Sequence, residues 1–265
     1  MADFPDYKTT LINIDEHLAT VKLNRPEVHN AFNNELIADL TDAFTKLQDI
    51  DDVRVIVLTG EGKSFCAGAD LNWMKSVVDY SFEENYEESY KLAKLMHLIF
   101  THPKPVIARV NGAAIGGGVG LMSVCDILIA SERAKFGLSE VRLGLVPAAI
   151  SPYVISRIGE ANARELFITG ERISAKYARE IGLVNKVVSH ESLDSAVRGY
   201  TDLIRNNGPQ AVKTVKNMIY KVIHELESEE MMEYTAKLIA NLRISDEGQE
   251  GMNAFLEKRK PNWTK

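Results

Sequence analysis

The sequence predicts an α/β fold followed by a helical C-terminal region. Short apolar runs typical of buried strands stand at 53–58, 106–110 and 126–130, and helical patterns separate them. After about residue 190 the strand signal ends and only helical patterns follow. We therefore expect an α/β core over residues 1–190 and a helical region over residues 191–265.

The first elements follow from local patterns. Two β-rich runs, Thr10–Ile14 and Leu18–Leu23, are separated by three polar residues and predict a hairpin. From Leu36 onward, apolar residues recur at spacings of three and four, which predicts an amphipathic helix. Asn33 or Asn34 is suited to cap that helix, because a short polar side chain can accept from the free N–H groups of the first turn.

The middle of the chain continues the alternation of strands and helices. A loop of small residues over 61–70 leads into a helical start at Leu71, and an amphipathic helix ends near Phe100. The strand at 106–110 leads through a turn to a glycine-opened helix over 116–125. The helical patterns of the C-terminal region cover 192–205, 210–226, 231–244 and 248–258.

Composition restricts the class of protein. The 265 residues are 45% hydrophobic and 26% charged, which is ordinary for a globular protein and excludes a disordered or disulfide-stapled chain. The formal net charge of −6 argues against a general nucleic-acid or anionic-membrane surface. The two cysteines form no metal motif. No signal peptide or long apolar span is visible, so a cytoplasmic protein without a metal is expected.

Three consecutive glycines, Gly116, Gly117 and Gly118, follow a strand and a turn and open a helix. At such a place a ligand can approach the backbone closely, and the free N–H groups of the first turn favour negative charge. The alternative interpretation is tight helix–strand packing with no ligand. The spacing matches neither a dinucleotide nor a phosphate-binding loop.

A second loop, Phe65–Asp70, also follows a buried strand and precedes a helix. By itself it is an ordinary connection. Two such loops in one α/β core can present two converging N–H groups, which stabilise the oxyanion that forms on a carbonyl. Cys66 lies in this loop without an evident base beside it, so we expect a packing residue rather than a nucleophile.

Glu140 is the candidate general base. A lone glutamate among charged neighbours is usually solvated, but apolar residues and glycines flank this one in the segment 136–144. Burial would raise its pKa toward the range in which a carboxylate works as an acid and a base near neutral pH.

These segments, in this order, resemble the crotonase superfamily of enoyl-CoA hydratases and isomerases. The segment 24–31 resembles its early CoA-contacting loop, 64–71 its first oxyanion loop and 105–118 its second. The tail, residues 251–259, resembles its C-terminal helix. The resemblance implies a spiral of ββα turns, a C-terminal region that forms trimers often paired into hexamers, and an acyl-CoA thioester as substrate rather than a bound cofactor.

The resemblance also implies roles for single residues. The backbone N–H groups of Ala67 and Gly117 are expected to hold the thioester oxygen, with Glu140 as the acid and base. The residues expected along the CoA are Val28, Ala69, Asp70 and Leu71, with Phe255 and Lys258 contributed by a neighbouring subunit. Lys63 is either a partner of a CoA phosphate or a solvated loop lysine.

One position departs from the pattern. Typical hydratases of the family carry two glutamates, and the first stands where this chain has Gly120. Only the second, matching Glu140, is present. A glycine cannot orient a water through a side chain, so the usual clamp of two carboxylates is absent.

A narrower resemblance concerns residues 71–74 and 145–153. They resemble a bacterial hydratase subgroup, assigned to branched dicarboxylic enoyl-CoAs of leucine or acyclic-terpene breakdown, in which a glycine at position 120 is common. One hypothesis lets Arg142 or Tyr153 meet a distal carboxylate or hydroxyl of the substrate. The other places Arg142 in a surface or intersubunit ion pair.

Three functions remain open on the sequence. The first is reversible hydration of a 2-enoyl-CoA, for example 3-methylglutaconyl-CoA, to a 3-hydroxyacyl-CoA. The second is Δ3–Δ2 isomerisation by the single glutamate. The third is a weakly catalytic protein that binds CoA thioesters.

Overall fold

A computed structural model describes residues 4–264. Ten strands form two sheets of six and four strands. The larger sheet has the order β1-β2-β3-β5-β7-β10, and all its pairs are parallel except β1 with β2. Its strands are β1 Thr10–Asp15, β2 Leu18–Leu23, β3 Val55–Gly60, β5 Val106–Val110, β7 Ile127–Ser131 and β10 Lys186–Val188.

The smaller sheet consists of four short strands in the order β4-β6-β8-β9. They are β4 Ser64–Cys66, β6 Ala113–Ile115, β8 Lys135–Gly137 and β9 Arg172–Ser174. Strands β3, β5 and β7 of the larger sheet are each followed by a strand of the smaller sheet and then by a helix. The chain therefore winds in repeated ββα turns, and the expected spiral is confirmed.

Ten helices complete the described part of the chain. They are α1 Asn34–Gln48, α2 Leu71–Ser76, α3 Phe82–Phe100, α4 Gly117–Ser123, α5 Ser151–Thr169, α6 Ala175–Glu180, α7 Leu193–Arg205, α8 Pro209–His224, α9 Ser228–Ile244 and α10 Asp246–Leu256. The predicted cap of α1 is confirmed at Asn33, whose side chain accepts from the Leu36 N–H. None of the helices in this part of the chain is long and apolar enough to cross a membrane.

The main core lies between the sheets and helices α1, α3, α4 and α5. Its largest fully buried side chains include Phe32, Phe44, Phe65 and Phe136. A second, smaller core forms where Leu193 of α7 packs against the other face of the larger sheet. The first of the four C-terminal helices is thus part of the α/β packing.

The other C-terminal helices are different. Helices α8 and α9 have no buried residue, and α10 buries only Ala254. Their apolar side chains are exposed in the single chain, among them Ile219 and Ile223 of α8 and Phe255 of α10. The structure therefore leaves an apolar helical surface that this chain does not cover by itself.

Candidate active site

The first element of the site is the loop between β3 and α2. Gly60 allows the chain to fold back tightly, because a Cβ there would lie 2.5 Å from the carbonyl oxygens of Ser64 and Phe65. Two buried asparagines hold the loop in place: Asn30 Nδ2 donates to Ser64 O at 2.9 Å, and Asn111 Nδ2 donates to Gly62 O at 3.0 Å. The loop that follows β4 consequently starts from a fixed position.

Within this loop the structure corrects one predicted role. The Ala67 N–H donates to His29 O at 3.0 Å, so this amide is already used inside the fold. Ala69 is exposed, and its N–H has no acceptor among the described residues. The free donor of the loop is therefore Ala69, two residues beyond the predicted one, because the amides of Ala67 and Asp70 on either side of it donate to carbonyl oxygens inside the fold.

The second element is the start of α4. Gly116 is its N-cap in a left-handed conformation (φ 51°), and its N–H donates to Gly137 O. The N–H groups of Gly117 and Gly118 are the first of the helix and donate to no acceptor among the described residues. The predicted opening of a helix by glycines is confirmed, with an unused N–H at Gly117.

Contacts bring the two loops together. Gly68 lies so close to the end of β6, just before α4, that a Cβ on it would stand 2.9 Å from Ile115 O. A Cβ on Gly118 would overlap Cys66 O. Since both contacts are between backbones, the loop carrying the Ala69 amide and the turn carrying the Gly117 amide are neighbours in space.

Phe32 holds both loops at once. Its backbone forms a parallel bridge with Ala69, in which the Phe32 N–H donates to Gly68 O at 2.6 Å and the Asp70 N–H donates to Phe32 O at 2.8 Å. Its buried ring lies against Gly117, 3.3 Å from where a Cβ would be. Residues with a free N–H therefore flank the same phenylalanine.

Glu140 supplies the only carboxylate found beside the glycine turn in these contacts. It begins a short 3₁₀ turn, Glu140–Leu143, and its Oε1 lies 3.0 Å from where a Cβ on Gly116 would be. Its Oε2 is buried without a hydrogen-bond partner in the described part of the chain. Burial raises the pKa of Glu140 above the usual value, although its own backbone N–H opposes this. A buried carboxylate oxygen without a partner is suited to accept a proton from a bound molecule.

Sequence and structure comparisons agree on the family. A sequence model described as enoyl-CoA hydratase/isomerase matches residues 13–265. A crotonyl-CoA hydratase of Syntrophomonas wolfei is 37% identical over 259 residues, covering 97% of this chain and 98% of the relative. The chain belongs to the enoyl-CoA hydratase/isomerase family.

Solved structures of the enoyl-CoA hydratase/isomerase family match equally well. An enoyl-CoA hydratase from Shewanella pealeana has a TM-score of 0.94 at 38% identity, with 97% of each chain covered. A structure described as a putative enoyl-CoA hydratase/isomerase from Legionella pneumophila has a TM-score of 0.90 at 46% identity, covering 96% of this chain and 98% of the other. The predicted superfamily, its fold and an enzyme of the hydro-lyase type are confirmed at the level of the family.

The structure gives a steric reason for the missing carboxylate of this family member. Gly120 is buried, and a Cβ on it would overlap Cγ2 of Ile150. Ile150, the residue before α5, is itself buried. No side chain fits at position 120 while Ile150 is present. Sequence reasoning found the glycine but missed the isoleucine, since nothing in the sequence indicates that the two residues touch.

The residues predicted along the CoA fall into two groups. Lys63, Ala69 and Leu71 are exposed, and Val28 is half-buried, so all four are available at the surface. Asp70 is only 5% exposed and is engaged inside the fold.

Asp70 has a structural role in the site. Its Oδ2 accepts from Arg25 at 2.7 Å, and its Oδ1 accepts from the Asn72 N–H and caps α2. Burial opposes ionisation, but Arg25 and the helix amides outweigh it, so the pKa of Asp70 lies below its usual value. Its carboxylate holds the loop rather than facing a ligand.

Phe255 and Lys258 lie at the end of α10, and both are exposed. Phe255 is 83% exposed. In residues 4–264 no hydrogen bond or ion pair joins either residue to the loops at 67–70 or 116–118. Within the described part of one chain these two residues therefore form no polar contact with the two loops of the site.

Arg142 and Tyr153 lie in different surroundings. Arg142 is exposed, forms no ion pair within the described residues, and its Nε is 3.2 Å from where a Cβ on Gly170 would be. Tyr153 packs against Phe100 with ring centroids 5.0 Å apart and lines a cavity of about 430 Å³ between α8 and the core. The structure thus does not bring these two side chains together.

Two further predictions concern groups outside the chemistry. Burial raises the pKa of the Cys66 thiol to about 12, which agrees with a packing cysteine. The part of the chain that the structure describes contains no cluster of three or more His, Cys, Asp or Glu side chains suited to a metal ion.

Proposed function

We propose that this protein hydrates 2-enoyl-CoA thioesters reversibly to 3-hydroxyacyl-CoA thioesters. The observation that carries the proposal is the buried Oε2 of Glu140, which has no partner among residues 4–264, next to a helix start where the Gly117 N–H is likewise unused. A base without an internal partner beside unused amide donors is the combination that addition to a conjugated thioester requires.

In the proposed reaction the N–H groups of Ala69 and Gly117 donate to the thioester oxygen. Charge that develops on this oxygen is then stabilised where it forms, and Cβ becomes electrophilic. Glu140 takes a proton from water while the water oxygen bonds to Cβ. The resulting enolate takes the same proton from Glu140 at Cα, so the carboxylate is regenerated and one water has been added.

The raised pKa of Glu140 favours both halves of this cycle. A carboxylate with its usual pKa would be a weak base toward water and would hold its proton too loosely to deliver it at neutral pH. Removing water from around the group brings its pKa closer to the working range. One residue can then act first as base and afterwards as acid.

The decisive experiment is product analysis by mass. Purified protein is incubated with matched 2-enoyl- and 3-enoyl-CoA thioesters, including crotonyl-CoA and 3-methylglutaconyl-CoA. We expect a mass gain of one water from the 2-enoyl thioesters, and Glu140→Gln is expected to abolish it. Conversion of 3-enoyl thioesters into conjugated isomers without a mass change would support the isomerase instead. Binding without turnover on the whole panel would leave a thioester-binding protein.

The amide donor at Gly117 can be tested separately. Gly117 is the first residue of α4, a position where proline fits a helix well and where a ring carbon replaces the amide hydrogen. We expect Gly117→Pro to lower kcat about 10²- to 10³-fold. Gly117→Ala is the matched control, since it makes the same close contact with Phe32 but keeps the N–H. Equal activity in the two variants would contradict the oxyanion role.

A branched dicarboxylic acyl group is the finer part of the proposal. Arg142 supports it, because this exposed guanidinium stands two residues after Glu140 without an ion pair in the described chain. We expect Arg142→Ala to raise KM for 3-methylglutaconyl-CoA while KM for crotonyl-CoA stays unchanged. An equal change of KM for both substrates would show that Arg142 does not recognise a distal carboxylate.

The proposed assembly is a trimer, or two trimers paired into a hexamer, in which Phe255 and Lys258 close a neighbour's site. The exposed end of α10, which forms no polar contact with the loops of the site in the described chain, supports it. If so, Glu140→Gln and Lys258→Glu chains, each poorly active alone, regain activity when they are assembled together. Mixtures that stay at the average of the two separate variants would contradict shared sites.

A further inference from the structure

Three side chains approach α4 where it lacks side chains of its own. Glu140 lies against Gly116, the Phe32 ring against Gly117, and Ile150 against Gly120. Gly116 and Gly120 are four residues apart, one helical turn, which is about 6 Å along the axis. The carboxylate therefore lies against the N-cap of α4 and the isoleucine lies against the first turn of the same short helix.

The contact at Gly120 is exclusive. Because a Cβ on Gly120 would overlap both Cγ2 and Cβ of Ile150, only one of the two positions can carry a side chain. A branched Ile150 side chain is stiff, since two heavy atoms on Cβ restrict its rotamers. Ile150 cannot turn aside without leaving a void in a buried region.

We propose that Ile150 is a positioning residue for Glu140, an apolar wall that keeps a second acid and water away from the α4 side of the carboxylate. The proposal rests on the proposed function and deepens it. Water that reacts at Glu140 must then arrive from the open side, where the amides of Ala69 and Gly117 are exposed to the substrate. One carboxylate consequently carries the whole proton cycle.

The surrounding elements bring no competing charge to this wall. Helix α4 contains no ionisable side chain. On α5, Arg157 donates to Ser123 O at 2.9 Å, and Glu160 pairs with Arg164. Arg142, on the same 3₁₀ turn as Glu140, lies toward Gly170. Burial is therefore the effect on the pKa of Glu140 that Ile150 can change.

The test compares two matched truncations. Ile150→Ala and Ile158→Ala both shorten a buried isoleucine, 3% and 4% exposed, Ile150 just before α5 and Ile158 within it. We expect Ile150→Ala to move the acidic limb of the kcat profile down by about one pH unit as water reaches Glu140. Ile158→Ala is expected to lose stability without moving that limb. A limb that moves equally in both variants, or in neither, would overturn the proposal.

A second measurement does not need activity. Carboxyl ¹³C titration of Glu140 by NMR, with Glu140→Gln to assign the signal, is expected to give a lower pKa in Ile150→Ala than in Ile158→Ala. An unchanged pKa would overturn the role of Ile150. If the wild type hydrates no thioester, the proposed function fails, and this titration still decides whether Ile150 sets the state of Glu140.

The exclusive contact is tested by a cycle of Gly120→Ala, Ile150→Gly and the double variant, measured by Tm, because only glycine at position 150 removes the Cβ that lies 2.5 Å from a Cβ on residue 120. We expect Gly120→Ala to lower Tm strongly and Ile150→Gly to rescue it in part, so that the double variant is more stable than Gly120→Ala. A Gly120→Ala protein with the Tm and the pH profile of the wild type would show that Ile150 does not exclude a side chain at position 120.

Discussion

The α/β core and the C-terminal helices of this chain differ in how many apolar side chains they bury. Helix α1 buries six side chains in 15 residues, and all six residues of β3 are buried. Helices α8 and α9, with 16 and 17 residues, bury none. Burial of apolar surface is the main stabilising contribution to folding. The core therefore covers its apolar side chains within the chain, whereas the C-terminal helices expose apolar side chains that only another surface can cover.

The largest expected effect is on the proposed assembly of several chains. Asp at both Ile219 and Ile223 would place two charges per chain on the apolar face of α8, and a charge buried without a partner is strongly unfavourable. We expect the double variant to run as a folded monomer in size-exclusion chromatography with light scattering. Leu11→Asp, an exposed apolar residue of β1, is the control and should leave the mass unchanged. A wild-type protein that is already monomeric would contradict the inferred contact.

The next effect is the loss of unfolding free energy on truncation of an aromatic side chain, which should differ between the two regions. Phe44 is fully buried in α1, so Phe44→Ala should cost about 3–5 kcal/mol of unfolding free energy. Phe255 is exposed on α10, and Phe255→Ala should change unfolding of the dilute, dissociated chain by about 0.5 kcal/mol or less. Denaturant titration of both variants at low protein concentration measures this. Equal losses would mean that α10 packs on its own chain.

The same contrast explains what could be predicted from the sequence. The α1 pattern, its Asn33 cap and the long strands were predicted because each is set by residues near one another in the chain. The strands β4, β6, β8 and β9 were missed, since three residues carry no periodicity. The free amide donor was predicted at Ala67 but lies at Ala69, because the hydrogen bond from the Ala67 N–H to His29 O joins segments that are distant in the sequence. The contact of Ile150 with Gly120 was invisible for the same reason.

A smaller effect comes from a histidine of the core. His102 is buried, its Nε2 lies 3.1 Å from Phe44 O, and its Nδ1 accepts from the Lys104 N–H at 3.1 Å. Burial, with Lys216 nearby, lowers the pKa of His102 to about 4. The unfolded chain, with a pKa near 6.5, therefore binds the proton first as the pH falls.

Stability contributed by neutral His102 is thus complete above about pH 6.5 and is lost as the pH falls toward 4. The loss amounts to roughly 2–3 kcal/mol over that window. His102→Gln keeps a donor and an acceptor but no titrating ring, so its unfolding free energy should fall less between pH 7 and pH 4. Urea titrations at several pH values measure the two slopes. Parallel slopes would place the acid sensitivity elsewhere.

The smallest effect concerns a buried acid of the core. Glu140 keeps a buried oxygen without a hydrogen-bond partner among residues 4–264, and burial raises its folded pKa above the unfolded value. Such a group favours the folded state below the unfolded pKa and loses that contribution as the pH rises through the folded pKa. At neutral pH the ionised carboxylate therefore weakens the fold.

Glu140→Gln, inactive in the proposed reaction, should unfold about 2 °C higher than the wild type at pH 7. The difference should vanish near pH 4, where both side chains are neutral, and Glu165→Gln, an exposed glutamate of α5, should show no gain. A Glu140→Gln protein that is less stable at pH 7 would mean that the carboxylate has a partner in the folded protein and is not free for catalysis.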